Sequence, residues 1–175
     1  MTSRTRHLAL CLVLAAASCS STRGPQVNAP LAPSTALRVA PLRFVHAGQA
    51  ECALSQDGTI TLGDRPWARI EGNRVVSVEG RELLRIDGNA LHFTGAASSA
   101  TLERDGSILG ANGQRMTIDG EGHPAFTAPD RTGTAVLGGT RVEGVTDATR
   151  PTAAVIVGLL MFRMREQRAD APESP

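Results

Sequence analysis

From residue 39 to residue 148 the chain alternates short apolar clusters with turns that contain glycine. The clusters are too short for amphipathic helices, and several short strands at even spacing are typical of an antiparallel β-domain. Gly72, Gly80 and Gly88 lie eight residues apart, which suits a meander of strands and tight turns. The pattern predicts thirteen strands, at residues 39–45, 50–54, 59–62, 67–70, 74–78, 82–86, 90–93, 100–103, 107–109, 115–118, 125–127, 134–137 and 141–145.

Many of the turns pair an acidic or amide residue with glycine, as in Asp57-Gly58, Asp105-Gly106 and Asn112-Gly113. Glycine and asparagine tolerate positive φ angles, so such pairs suit two-residue hairpin loops. We therefore expect a mainly β fold, an antiparallel meander that forms a sandwich or a barrel-like domain. The sequence leaves these two forms open.

Residues 54–72 match residues 102–120 without a gap, at an offset of 48. Both segments have leucine, an Asp-Gly pair and two isoleucines at the same positions. Duplication of a unit of about 48 residues would explain the match, and Ile60 and Ile108 would then point into one shared core. The alternative is that any array of Asp-Gly hairpins matches itself.

The end of the chain has a different pattern. A continuous apolar run follows Pro151 and ends at Phe162, just before a segment rich in arginine. Proline in the first turn and arginine near the end are typical of a helix. We predict a C-terminal helix at residues 149–168, packed on the sheet or plugging an open end, and a disordered tail at residues 169–175. A buried strand would look similar.

The beginning of the chain is typical of an exported protein. Arg4 and Arg6 precede an apolar run at residues 8–17, which is the layout of a secretory signal peptide, here residues 1–18. The apolar run has about half the roughly 20 residues that a membrane-spanning helix needs. It ends in a segment that resembles the lipobox of bacterial lipoproteins, Leu14-Ala15-Ala16-Ala17-Ser18-Cys19, with alanine where that family usually has leucine at the third residue before the cysteine.

The resemblance implies that the signal peptide is cut before Cys19, which is the lipidation site and receives diacylglycerol and an acyl chain. Two or more chains hold a protein stably at a bilayer. Ser20, in place of aspartate, implies sorting to the outer membrane in Gram-negative lipoproteins. The alternative is ordinary cleavage after Ala17, which would release a protein without an anchor. Residues 19–38 contain three prolines among small polar residues and predict a flexible linker.

Charge and composition restrict the function. The chain has 18 basic residues, all arginine, against 17 acidic ones, and this near neutrality argues against a nucleic-acid partner. Aromatic residues make up 3% of the chain, and tyrosine is absent. Because ligand grooves and base-stacking surfaces both rely on aromatic side chains, this scarcity weakens the case for either.

Cys52 is the one cysteine left once Cys11 and Cys19 are assigned to the signal peptide and the lipid. It is either a small buried apolar residue or a nucleophile with His46 as its base. The histidines at positions 46, 92 and 123 are isolated, without a second ligand at metal spacing. No motif of an enzyme, a cofactor site or a metal site is recognisable.

Three functional hypotheses follow. The first is a lipid-anchored β-domain of the cell envelope with a structural or protein-interaction role, not an enzyme, whose expected partners are the membrane and an envelope protein. The second is an envelope enzyme with an unfamiliar site, involving Cys52 or the histidines. The third is a binder of a small apolar ligand, with the C-terminal helix as a lid.

Overall fold

The structure, a computed structural model, describes residues 37–130 and 133–169. Within them, thirteen antiparallel strands form one sheet in which β1 to β12 pair in sequence order and β13 pairs with β1. The strands are β1 (Leu42–His46), β2 (Gln49–Leu54), β3 (Thr59–Leu62), β4 (Arg65–Glu71), β5 (Arg74–Ser77), β6 (Glu82–Asp87), β7 (Ala90–Phe93), β8 (Ala100–Leu102), β9 (Ile108–Leu109), β10 (Arg115–Ile118), β11 (Pro124–Thr127), β12 (Thr134–Val136) and β13 (Thr140–Glu143). The sheet curls into a half-barrel, so the mainly β prediction is confirmed in its barrel-like form.

The hairpin loops are of two kinds, and glycine takes a different place in each. Three of the two-residue loops have glycine first, at Gly63, Gly72 and Gly88, with φ between 55° and 63°. Three-residue loops instead end in a left-handed glycine after a type I turn. They lie at residues 56–58, 78–80, 104–106, 111–113 and 120–122.

The expectation that Asp-Gly and Asn-Gly pairs form two-residue loops was therefore wrong at positions 57–58, 105–106 and 112–113. The reason is local hydrogen bonding. The carboxylate of Asp57 accepts a hydrogen bond from the backbone N–H of Thr59 at 3.1 Å, which favours the three-residue form. Asn112 makes the same contact with the N–H of Gln114, also at 3.1 Å. Side chains that hydrogen-bond to the backbone two residues further on are typical of such turns.

The last two strands connect the ends of the meander. β12 pairs with β11, and after a short turn β13 pairs with β1. The N–H of Val142, in β13, donates to the carbonyl of Gly122, in the β10–β11 loop, at 2.8 Å. Gly122 has φ +89°, and a Cβ there would lie 2.0 Å from the carbonyl oxygen of Val142. Only glycine fits at this point, which we call the seam.

A single helix, α1 (Arg150–Ala169), follows the sheet, as the helical interpretation predicted. Thr149 precedes it and accepts a hydrogen bond from the N–H of Thr146 at 2.8 Å. Inside the first turns, the hydroxyl of Thr152 donates to the carbonyl of Arg38 at 2.9 Å. This bond connects the start of the helix to the segment before β1.

The sheet and the helix share one hydrophobic core. Ile60 and Ile108 both belong to it, as expected, and the matched pair Ile70 and Ile118 are buried there too. The first loops of the two matched segments have the same three-residue form, at residues 56–58 and 104–106. The second loops differ, with a two-residue loop between β3 and β4 and a three-residue loop at residues 111–113 between β9 and β10. The proposed duplication stays a prediction.

Cys19, the signal peptide, most of the predicted linker and the tail beyond residue 169 lie outside the described residues. Within the part of the chain that the structure does describe, no helix combines the length and the apolar character needed to cross a membrane.

Candidate functional site

A groove of about 480 Å³ opens between the C-terminal half of α1 and strands β7 and β9–β11. We call it the apolar groove. Its wall on the sheet side includes Phe93, Ile108, Met116 and Phe126, and Phe162 faces them from the helix. The rings of Phe93 and Phe162 stack with their centroids 5.7 Å apart. The groove is thus an unfilled part of the boundary between helix and sheet, and phenylalanine and methionine side chains line most of it.

Three of the four phenylalanines and three of the four methionines in the chain line this groove. The methionines are Met116, Met161 and Met164, and the remaining phenylalanine, Phe44, is buried elsewhere in the core. Methionine adapts its shape to different apolar partners and is frequent at surfaces that bind them. The scarcity of aromatic residues weakens the case for a ligand groove, whereas the structure places three of the few that exist around one groove.

Gly158 forms the floor of the groove. A Cβ at this position would lie 3.5 Å from both Ile108 Cδ1 and Phe93 Cζ, and 3.8 Å from Met116 Cε. These are ordinary contact distances, so one methyl group would fit, but a longer side chain would fill the groove. The sequence did contain a signal, because a glycine inside an apolar helix often has a packing or functional reason.

The groove has a deep end and a mouth. Ile108, Met116 and Phe126 are paired across three strands and form one level of its wall. Gly110 and Gln114 form the next level, where the N–H of Gly110 donates to the carbonyl of Gln114 at 2.8 Å to close the β9–β10 hairpin. Gln114 is exposed whereas Ile108 and Met116 are buried, so the mouth lies at this hairpin. Met164, which also lines the groove, is 53% exposed.

Among the described residues, none of those that line the groove is charged. Two arginines, Arg115 and Arg163, lie close to it in sequence but do not line it. Arg163 places its guanidinium 4.9 Å from the centre of the Trp67 ring. Arg115 donates to the hydroxyl of Ser107 at 2.8 Å and forms an ion pair with Glu103. The described lining therefore presents an electrically neutral surface to whatever occupies the groove.

Cys52 is part of the core and not of the groove. It lies in β2 between its pairing partners Phe44 and Leu62, and it is 2% exposed. Burial raises the pKa of its thiol to about 12, so the thiol is protonated at neutral pH. His46 is exposed, and its Nδ1 lies 2.9 Å from the hydroxyl of Thr140. The structure favours the interpretation of Cys52 as a small buried apolar residue.

The other two histidines also lie on the surface. His92 is exposed, and its Nε2 lies 3.7 Å from Asp87. His123 Nδ1 lies 3.2 Å from Asp119. Within residues 37–130 and 133–169, no three groups of the metal-ligating types His, Cys, Asp and Glu come close enough together to hold a metal ion.

The turn aspartates are explained by the hydrogen bonds of their own loops. The hydroxyl of Ser55 and the N–H of Thr59 donate to Asp57 and lower the pKa of its carboxyl to about 2. Hydrogen bonds from the backbone and the ring of His123 likewise lower the pKa of Asp119. A hydrogen bond to the charged form stabilises the carboxylate, so these aspartates stabilise their own turns.

No protein-family model, curated protein or solved structure matches the chain. The function therefore has to be argued from the geometry of the apolar groove and from the sequence.

Proposed function

We propose that this protein binds a small uncharged apolar molecule in the apolar groove. The observation that carries the proposal is an open groove of about 480 Å³ that is lined by three of the four phenylalanines and three of the four methionines of the chain. Ligand sites commonly have volumes of about 300–1,000 Å³ and mostly apolar linings with few polar groups. This observation favours the third hypothesis from the sequence over a purely structural or protein-interaction role.

The expected affinity follows from the burial of hydrocarbon. A chain of about ten methylenes gains about 8 kcal/mol at about 0.8 kcal/mol for each buried CH₂. The loss of translational and rotational freedom costs at least about 4 kcal/mol. The balance, at most about 4 kcal/mol, corresponds to a dissociation constant of about 1 mM or weaker, and each further buried CH₂ strengthens binding about fourfold. A binding role of this kind needs no nucleophile, which is consistent with the buried, protonated thiol of Cys52.

The test is a titration with the uncharged fluorophore N-phenyl-1-naphthylamine, which brightens in apolar surroundings. The Gly158→Leu variant fills the floor of the groove, and Gly158→Ala is its matched control because one methyl group fits there at ordinary contact distances. We expect saturable binding to wild type and to Gly158→Ala, and at least about tenfold weaker binding to Gly158→Leu. Circular dichroism checks that each variant is folded.

If Gly158→Leu fails to fold, Met161→Glu replaces it, because a carboxylate in a neutral groove disfavours an apolar ligand. The absence of saturable binding to the wild-type protein would contradict the proposal. Equal binding to wild type and to a folded blocking variant would contradict it as well, since the probe would then bind somewhere else.

We propose further that a lipid on Cys19 places this domain in the cell envelope, on the outer membrane. The support is the signal peptide and the lipobox-like segment that ends at Cys19. The test is the intact mass of the mature protein extracted from membranes, beside a Cys19→Ala control. A chain that begins at Cys19 with diacylglycerol and an acyl chain supports the anchor. A chain that begins at Ser18 without lipid overturns it.

A further inference from the structure

The apolar groove is polar at one end only. Gln114 is the one polar side chain among the described residues that line it, and it lies at the mouth beside Gly110. The deep end is formed by Ile108, Met116 and Gly158, which offer no polar side-chain atom apart from a thioether. A molecule that matches this distribution has a hydrocarbon part and a polar part at one end.

The direction of the helix fixes which end of such a molecule enters first. At its start, α1 packs on the β8–β9 loop, where a Cβ on Gly106 would lie 3.2 Å from the backbone nitrogen of Pro151. The following residues 152–157 are buried in the core and do not line the groove. The mouth lies at the other end of β9, at the β9–β10 hairpin. The hydrocarbon part therefore enters first, and the polar part stays at Gln114.

The charges around the mouth indicate what kind of polar group fits there. Arg115 is held by Ser107 and Glu103, and Arg163 lies over Trp67, so neither lines the groove. An ionised head group would lie beside apolar side chains without a described counter-ion, and burying a charge without a partner is costly. The amide of Gln114 has both donors and an acceptor, which an uncharged hydroxyl or amide group can satisfy.

We propose that the groove takes a single-chain amphiphile with an uncharged hydrogen-bonding head group, tail first, with the head at Gln114. This inference rests on the proposed function, since it specifies the ligand of the same groove. Monoacylglycerols, fatty alcohols and fatty amides have this chemistry. Ionised fatty acids and alkylammonium ions have the same tail and lack the neutral head.

The experiment measures displacement of N-phenyl-1-naphthylamine from the full mature chain at pH 8 by three ligands with a twelve-carbon chain. These are the monoacylglycerol, the ionised fatty acid and the alkyltrimethylammonium ion, each kept below its micelle concentration. We expect the monoacylglycerol to bind at least about tenfold more tightly than either ion, since each ion would be desolvated without a partner.

Two variants at one position test the role of Gln114. Its side chain is exposed and its backbone makes the hairpin bonds, so its replacement leaves the fold in place. We expect Gln114→Leu to weaken the monoacylglycerol by about threefold to tenfold, the effect of one lost hydrogen bond. The dissociation constant of the fluorophore is measured separately in each variant, so that displacement gives the affinity of the ligand itself. Gln114→Lys should shift the preference toward the fatty acid.

The outcomes separate this inference from the function on which it rests. If the fluorophore does not bind the wild-type protein, the proposed function fails. If the fluorophore binds but the three ligands displace it equally well, or Gln114→Leu leaves their order and affinities unchanged, the inference about the head group is overturned while the groove remains a binding site.

Discussion

The two halves of α1 are both apolar in sequence and lie in different surroundings. Residues 152–157, the closed half, are at most 4% exposed. Residues 158–164, the open half, contribute Gly158, Met161, Phe162 and Met164 to the apolar groove. The same helix thus contributes both to a filled core and to an open site.

The difference comes from the sheet and not from the helix. The closed half belongs to a core to which nearly every strand contributes, including β13 beyond the seam. The open half lies toward β11, next to the end of the sheet at β12, where Thr134, Ala135 and Val136 are all exposed. An apolar run therefore indicates that a segment is buried in the functional protein. It does not indicate whether residues of the same chain or a bound ligand bury it.

A substitution at the seam should have the largest effect on stability. Gly122→Ala would place a Cβ 2.0 Å from the carbonyl of Val142, at a positive φ that alanine adopts poorly. We expect a loss of at least about 3 kcal/mol in the free energy of unfolding, or failure to fold, because β13 must move away. Chemical denaturation followed by circular dichroism measures it.

Gly120→Ala is the matched control in the same loop, since nothing lies within 4 Å of a Cβ there and its φ is not positive. It should change the stability by no more than about 0.5 kcal/mol. Equal stabilities of the Gly122→Ala and Gly120→Ala variants would show that the close approach of Gly122 and Val142 at the seam does not contribute to stability.

A pair of truncations tests the two halves of the helix directly. Ile156 is fully buried in the closed half, so Ile156→Ala should cost about 2–5 kcal/mol. Met161 already borders an open groove, so Met161→Ala should cost no more than about 1 kcal/mol, since less of its surface leaves contact with protein. Urea denaturation of both variants gives the two values. Similar costs would mean that the open half is packed like a core.

A stabilising substitution tests the packing of the open half of the helix. Gly158→Ala should raise the free energy of unfolding by about 0.5–1 kcal/mol, because alanine has the higher helix propensity and its methyl group fits. The melting temperature should rise accordingly. A fall in stability would mean that the helix and the sheet approach more closely at the groove floor than the structure has them.

Acid should produce the smallest effect. The folded-state pKa of Asp57 is about 2, below its ordinary value of 3.8, so this carboxylate contributes stability above pH 4 that is lost as the pH falls toward 2. Asp57→Asn should reduce the difference in melting temperature between pH 4 and pH 2. An unchanged difference would mean that the hydrogen bonds of Asp57 with Ser55 and Thr59 add nothing to stability.

The strands were predictable because strand and turn signals are local. Each of the thirteen predicted strands has a counterpart, and Pro151 with the apolar run after it gave the position of the last element, although the run alone would also suit a buried strand. The form of the loops around Asp57 was missed because it depends on a side-chain hydrogen bond. The groove could not be predicted, since it depends on how β9–β11 pack against Met161 and Met164, which lie far from these strands in sequence.

The binding of an amphiphile in the apolar groove is tested most directly by a nuclear magnetic resonance titration with a monoacylglycerol. The protein is labelled with carbon-13 at its methionine methyl groups. Met116, Met161 and Met164 all line the apolar groove, so their signals report on it from three positions. We expect all three signals to shift in a saturable way with one dissociation constant, and the shifts to be lost in Gly158→Leu. Methionine signals that stay unchanged throughout the titration would contradict this expectation.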